Sequence, residues 1–448
     1  LWCPAPRTPI RDIKKLEPGT AMRVGGGRII RKWRYTAPSF AQRPTPIAEG
    51  EAASRLKHLL AESVRRRMIA DVPVGAFLSG GLDSSAIVAE ARKHTRKDRL
   101  KCFTIAFRDA DMRQEGYAYD LPYAKTVAQH LDVDLHITEV SPDIGTLLEE
   151  MVYQLDEPQA DPAPLNVYLI ARFARRAGIP VLLSGAGGDD LFTGYRRHTA
   201  LELEKYWAWL PRPLRGLLSS LDRIPPTLSA LRRLGKAFRF AGLDPERRIA
   251  GYFHWLPPRE QMSLYSLELL EAVSSEPFSS PLMHTLEDID SRVPRLNKML
   301  HLELRHFLAD HNLSYTDKMT MACGVEARVP FLDPSVVSFA EALPVGLKQR
   351  GSTGKWVLRK ALQGTLPPAI LDRPKSGFGL PLRSWLRGQL APMAKDVLSP
   401  TSLRRRGLFE PARVEQLLQR NSRGLVDGTY AIFALMSIEL WCRRFLDQ

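Results

Sequence analysis

Cysteine is scarce in this chain of 448 residues. The four present, Cys3, Cys102, Cys323 and Cys442, lie far apart and show no paired ligand spacing. That argues against a disulfide framework or a zinc site and predicts reduced, mostly buried thiols. No apolar run approaches the ~18 residues of a membrane helix, and no basic segment followed by an apolar core marks a signal peptide. A cytoplasmic location is expected, and a first residue of Leu where Met would stand reads as a fragment. Repeats and low-complexity tracts are absent too. The net charge of +15 speaks to partners and not to fold. Its basic residues are scattered, with short clusters such as Arg65-Arg66-Arg67 and Arg404-Arg405-Arg406. With no zinc-finger or RNA-binding signature beside them, they read as solvated faces, and neither a nucleic acid nor a membrane is expected as partner.

A hydrophobic content of 44% with 25% charged residues is that of a soluble globular protein, and the length leaves room for two or three units. Residues 1 to about 36 alternate short apolar stretches with turns at Pro18-Gly19 and Gly25-Gly26-Gly27, the pattern of β hairpins at the edge of something larger. A linker from Ala37 to Pro46 leads to a helix at about 50 to 70, with Leu56, Leu60, Val64 and Met68 on one face. Strands and helices then alternate: Ala76 to Leu78 and a helix from Ser84; Cys102 to Phe107 and a helix around Tyr123 to Leu131. His136 to Val140, helices near Ile144 to Leu155 and Leu165 to Ala177, and the strand Val181 to Leu183 follow. This alternation predicts an α/β fold, a doubly wound and mainly parallel sheet, with ligands beyond the carboxyl ends of its strands at the loops of Ser79 and Ser184. From about 199 to 300 the sequence reads as a helical insertion, and from 301 onward helices dominate, interrupted by loops around 323 to 334 and 372 to 381.

Two strand-loop-helix strings carry the chemistry. In the first, Leu78-Ser79-Gly80-Gly81-Leu82-Asp83-Ser84-Ser85, two glycines admit an anion to the backbone, three hydroxyls add donors and a helix start adds partial positive charge. A tight turn with Asp83 or Ser84 as helix cap is the plainer alternative. The Gly-Lys-Ser/Thr ending of a Walker A loop is missing. Asp83 is placed to hold magnesium, with Asp189 as the second carboxylate. The other string, Ser184-Gly185-Ala186-Gly187-Gly188-Asp189-Asp190, offers three glycines for the close approach of a nucleotide and an acidic pair at a helix start.

The first string matches the Ser-Gly-Gly-x-Asp-Ser signature of the ATP pyrophosphatase superfamily. The second resembles a signature of the asparagine synthetase family, and further segments follow in that family's order: Asp156-Glu157-Pro158 with Asp161-Pro162, Asp317 to Ala322, Gly324 to Asp333, Lys355 to Arg359, and Arg373-Pro374-Lys375-Ser376-Gly377-Phe378. The resemblance runs from about 50 to the C-terminus. It implies ATP-dependent synthesis of asparagine: aspartate attacks the α-phosphorus, pyrophosphate leaves, and ammonia displaces AMP from a β-aspartyl-adenylate. It implies ATP and Mg2+ as cofactors, with Asp83 and Asp189 on the metal, and Ser79, Gly80, Gly81, Asp83, Ser84 and Ser85 receiving pyrophosphate. Leu78, Ile105, Ser184 and Gly185 would frame the adenosine, and Lys375 is the catalytic lysine. Glu157, Glu326 and Arg328 are the weaker substrate candidates; an ion pair of Glu326 with Arg328 would shape the pocket or serve structure alone.

Two departures from the family pattern stand out. Ala186 occupies a position where an acidic residue is expected, which makes amidation the weaker half-reaction unless Glu157 or Asp190 substitutes. Residues 1–48 resemble only the tail of a glutaminase-type β domain plus linker, with Cys3 not its nucleophile, and 49–448 form the synthetase domain. Ammonia is therefore the expected nitrogen donor, with glutamine in a longer form, and a homodimer is allowed for. The rival readings are an enzyme adenylating a different carboxylate and a nucleotide-binding homologue without turnover.

Overall fold

A computed structural model describes residues 2–37, 39–40, 44–95, 99–107, 120–139, 143–219, 238–273, 280–375 and 379–447, with 221, 235 and 377. Val140, Ser376, Phe378 and parts of the 37–46 linker and the 199–300 insertion lie outside the described residues.

A five-stranded, wholly parallel sheet organises the main domain. Its strands are β3 (Val74–Phe77), β4 (Lys101–Ala106), β5 (Asp134–Glu139), β6 (Val181–Leu183) and β7 (Glu326–Arg328), in the spatial order β5-β4-β3-β6-β7. Alternate residues feed two cores, as a period of two requires. Phe103, Ile105 and Leu182 join the helices Ile144–Leu155, Ala163–Arg176 and Thr429–Phe445 on one face. Cys102 and Leu183 join α1 (Glu49–Arg67), α2 (Leu82–Arg92) and the helix Leu121–Leu131 on the other. α1 buries Ala52, Leu56, Leu60 and Val64, and carries Glu49 and Glu51 in its first turn and Arg65, Arg66 and Arg67 in its last, each end complementing the helix dipole.

The doubly wound parallel sheet thus stands as expected. One strand was not anticipated: β7 lies within the stretch read as a motif-bearing loop and adds the fifth strand. From β3 the chain winds through β4 to β5, then returns to place β6 on the other side of β3, which puts the topological switch point between β3 and β6. That is where such sheets bind ligands.

Around the sheet, the insertion has a separate core that includes Leu201, Ile249, Phe253, Leu286 and Met299. An 11-residue π-helix, Glu303–Leu313, follows it. At the other end of the chain β1 (Thr20–Gly25) and β2 (Arg28–Arg34) form an antiparallel hairpin, and every residue of β2 is exposed. All four cysteines are free thiols, Cys102 and Cys442 buried and Cys3 and Cys323 partly so. Among the described residues no helix is long and apolar enough to cross a membrane.

Candidate functional site

The loop after β3 is closed by its own serines. Ser79 Oγ accepts from Gly81 N at 3.3 Å and lies 3.2 Å from Ser84 Oγ, which donates to the Gly81 carbonyl at 3.2 Å. Gly80 takes φ +70°, and a Cβ there would fall 2.4 Å from Ala124 N, so only glycine fits. α2 starts with Gly81 at its N-cap and no side chain capping it. The plainer reading, Asp83 or Ser84 as cap, therefore fails, and the first-turn N–H groups are left for solvent or an anion. Ser85 Oγ is buried without a partner among the described residues.

At the switch point this loop meets the loop after β6. A Cβ on Gly185 would stand 2.8 Å from Ser84 N, one on Gly188 2.5 Å from Asp83 Oδ1, and one on Gly187 2.7 Å from Leu332 Cδ2. The glycines read as space for a nucleotide are thus filled on the Cβ side by the protein itself, which brings Asp83 against the second loop. Ser184 continues β6, donating its N–H to the Arg328 carbonyl at 2.8 Å, and its Oγ accepts from Ala186 N at 3.2 Å.

Asp83 and Asp189 are bridged by a lysine that sequence reasoning did not assign to the site. Lys355 Nζ pairs with Asp83 Oδ2 and Asp189 Oδ1, while Lys375 Nζ pairs with Asp189 Oδ2. Lys355 has its side chain 6% exposed against 36% for Lys375, which identifies the first as interior and the second as the cation open to a ligand. Lys355 holds the left-handed backbone at φ 57°, as does Thr193 at φ 67°. The two segments interlock, with Lys355 N donating to the Phe192 carbonyl at 2.8 Å. A β-branched residue at positive φ is a true outlier, and such strain gathers at functional sites. One signal was legible: a lysine just before a helix opposes the dipole and needs a carboxylate partner.

Burial raises the carboxyl pKa of Asp83, with Lys355 opposing and Asp189 adding to the rise. For Asp189 the same burial is outweighed by Lys355 and Lys375, which hold it well below the usual range. Asp83 Oδ1 is buried and has no hydrogen-bond partner among the described residues. Two carboxylates, one with an unpartnered oxygen, are the hard oxygen donors that suit a magnesium ion. Among the described residues no cluster of three or more His, Cys, Asp or Glu is placed to hold a metal unaided.

Behind this centre, Asp190 is buried and Tyr195 donates its hydroxyl toward Oδ1 and Oδ2 at 3.3 and 3.2 Å. Burial, then repulsion from Glu303 and Asp189, raises the Asp190 pKa well above the ordinary value. Arg373, just before the lysine loop, is anchored by Asp120 and the Ser79 carbonyl and stacks over Tyr123 at 4.1 Å.

The side chains of Leu78 and Ile105 belong to opposite cores of the sheet, so at most one can flank an adenosine through its side chain. Glu326 and Arg328 do pair, at 2.8 Å, but Arg328 also donates to the Arg67 and Ile69 carbonyls. Among the described residues neither touches Asp83, Asp189 or the two lysines. Glu157 pairs with Lys15 of the N-terminal segment at 2.6 Å. Asp156 ends its helix in the left-handed conformation and pairs with Lys318.

Comparison with known proteins adds the following. The asparagine synthase family model matches residues 55–443. A putative glutamine-hydrolysing asparagine synthetase of Mycobacterium tuberculosis is 33% identical over all of this chain and 66% of its own length. Asparagine synthetase 1 of Bacillus subtilis, also described as glutamine-hydrolysing, is 29% identical over 98% of this chain and 66% of its own. An amidase of Penicillium rubens is 25% identical over 83% of this chain and 59% of its own. The chain therefore spans slightly under two thirds of the length of these relatives.

Proposed function

The chain belongs to the asparagine synthase family, and from that premise we propose that it activates aspartate with ATP as β-aspartyl-adenylate and transfers ammonia to it, releasing AMP, pyrophosphate and asparagine. The observation that carries this reading is the convergence of Asp83, Asp189, Lys355 and Lys375 beside the uncapped start of α2.

In this proposal the loop Ser79 to Ser85 and the first turn of α2 take the pyrophosphate, with backbone N–H groups and the helix dipole opposing its charge. Asp83 and Asp189 would hold magnesium, which would supply positive charge against the phosphates. Lys375 stands nearest to solvent and opposes the charge that builds as pyrophosphate departs, while Lys355 keeps the two carboxylates together. No bond to the lysines forms or breaks; their contribution is fixed charge. Ammonia then attacks the acyl carbon and AMP leaves.

The division into a glutaminase-type tail at 1–48 and a synthetase domain at 49–448 is proposed on a separate observation. The hairpin exposes Ile29 and Ile30 by 63% and 62% and Tyr35 nearby by 68%, apolar surface that an extended β domain would cover. We propose glutamine as the nitrogen source where such a β domain is present, and free ammonia for the synthetase domain by itself.

The amidase likeness favours a second reading, adenylation of another carboxylate with a different acceptor. ATP/pyrophosphate exchange against a panel of carboxylates, followed by ammonia-dependent product analysis, decides between them. Exchange with aspartate and formation of asparagine support the first reading, exchange with a different acid alone replaces it with the second, and no exchange with any acid overturns both. In the same assay Lys375→Ala is expected to lower the exchange rate at least ~10²-fold with little change in ATP affinity.

A further inference from the structure

Lys375 is a long, flexible cation that itself lies outside regular secondary structure, between the helices Pro368–Leu371 and Leu382–Arg387. It has one ion-pair partner among the described residues, Asp189. One carboxylate oxygen fixes a point and not a direction, and a lysine stem retains much rotamer freedom. A second constraint comes from Tyr195, whose ring centroid lies 5.6 Å from Lys375 Nζ, within reach of a cation–π contact.

That ring is held unusually well for a half-buried tyrosine. Its hydroxyl donates to Asp190 and accepts from Asn312 Nδ2 at 2.9 Å. Arg197 lies 4.3 Å from its centroid and is itself held by Glu303 in a buried ion pair at 2.5 Å. Phe307 meets it edge-on at 5.5 Å with an interplanar angle of 82°. Glu303, Phe307 and Asn312 all come from the π-helix. A π-helix is rare and tends to occur at functional sites; here it delivers Phe307 and Asn312 to one aromatic ring and Glu303 to the arginine over that ring.

We infer that Tyr195 is the positioning residue for Lys375: its ring, locked by Asp190, Asn312 and the π-helix, carries the ammonium in the direction from which it meets the phosphate. This rests on the adenylation reading above. Misplacing a reacting group by about 1 Å costs on the order of 10²-fold in rate, whereas losing a purely structural contact lowers stability and leaves the rate of folded enzyme alone.

The test uses the full chain with Tyr195→Phe, which keeps the ring but frees its anchors, and Tyr195→Leu, which removes it. In ATP/pyrophosphate exchange the expected kcat falls about 3-fold for Phe and roughly 30- to 100-fold for Leu, with KM for ATP within about twofold of the parent. A kcat for Tyr195→Leu within about twofold of the parent, or a rise in KM at unchanged kcat, overturns the inference. A second readout does not depend on activity. After reductive 13C-methylation, the Lys375 signal, assigned by its loss in Lys375→Arg, should be shifted upfield by the ring, keep that shift in Tyr195→Phe and lose it in Tyr195→Leu. A parent without exchange toward any carboxylate removes the adenylation reading; the methyl shift then decides the contact, and its absence in the parent overturns the inference.

Discussion

Asp83 and Lys355 stand 272 positions apart and meet in a buried ion pair that uses only one carboxylate oxygen, leaving Oδ1 of Asp83 without a partner among the described residues. The lysine balances part of the charge of an acidic pair and leaves a donor atom for another cation.

Removing that balance should be costly. In Lys355→Met two buried carboxylates lose their shared counter-ion, and breaking such a pair typically costs about 3–5 kcal/mol. Urea denaturation should show a loss of this order, partly restored by millimolar Mg2+ because a divalent cation binds the folded pair. A variant as stable as the parent without Mg2+ would show that the lysine is dispensable.

The glycine contacts give a paired comparison. Gly188→Ala drives a Cβ to 2.5 Å from Asp83 Oδ1, while Gly50→Ala meets nothing within 4 Å. The first should destabilise by about 1–3 kcal/mol and abolish adenylation, and the second should stay within about 0.5 kcal/mol of the parent. Equal effects in thermal unfolding would refute the close packing of the two loops.

Strand and helix alternation was legible because Val181 to Leu183 is an unbroken apolar run, while Ile144 to Leu155 and the α1 face repeat with the period of a helix. β7 was not, because three residues, Glu326, Ala327 and Arg328, are too few to show a period and two of them are charged. Lys355 was overlooked because Trp356 onward reads as an ordinary helix and its partners lie far away in sequence. The π-helix escaped for a related reason: its i to i+5 bonding leaves no mark in a pattern read at 3.6 residues per turn. Asp83, Asp189 and Lys375 were named from their motifs and the fold brings them together, whereas the packing role of Gly185, Gly187 and Gly188 depends on neighbours that only the fold supplies.

Acid should destabilise the protein through its histidines. Burial lowers His254, His301 and His306 to about 4 and His311 to about 3. As pH falls from about 6.5 toward 4, the unfolded chain takes up protons that the folded chain refuses, so stability is lost. Asp161 and Asp310 act in the opposite sense: burial raises both to about 6, and their contribution is lost as pH rises from about 4 to 6. Summed over these six groups alone, the balance near pH 5 is a net uptake of about two protons on unfolding. Comparing the pH dependence of unfolding free energy between parent and variants isolates each group. His301→Gln should lower the uptake by about one proton and Asp161→Asn raise it by about one.

Ala186 is the residue to change for the second half-reaction. Asp190 is buried behind Tyr195 and Glu157 is paired with Lys15, so the two acids considered as substitutes are both engaged. Ala186→Glu should leave adenylation within about twofold and raise ammonia-dependent amide formation by ~10²-fold or more, the usual contribution of a general base. An unchanged amide yield in single-turnover experiments would assign the proton transfer elsewhere.

The pairing of β6 with β7 has a consequence for the protein as it is made. Leu183 and Glu326 bracket the second half of the site and the whole helical insertion, about 140 residues. At a synthesis rate of about 5–20 residues per second, the outer edge of β6 waits roughly 7–30 s for its neighbour. During that time the nascent sheet ends in an unpaired apolar strand, Val181-Leu182-Leu183, open to strand addition by other chains. Slowing translation within the insertion should therefore increase aggregation without changing a single residue of the finished protein.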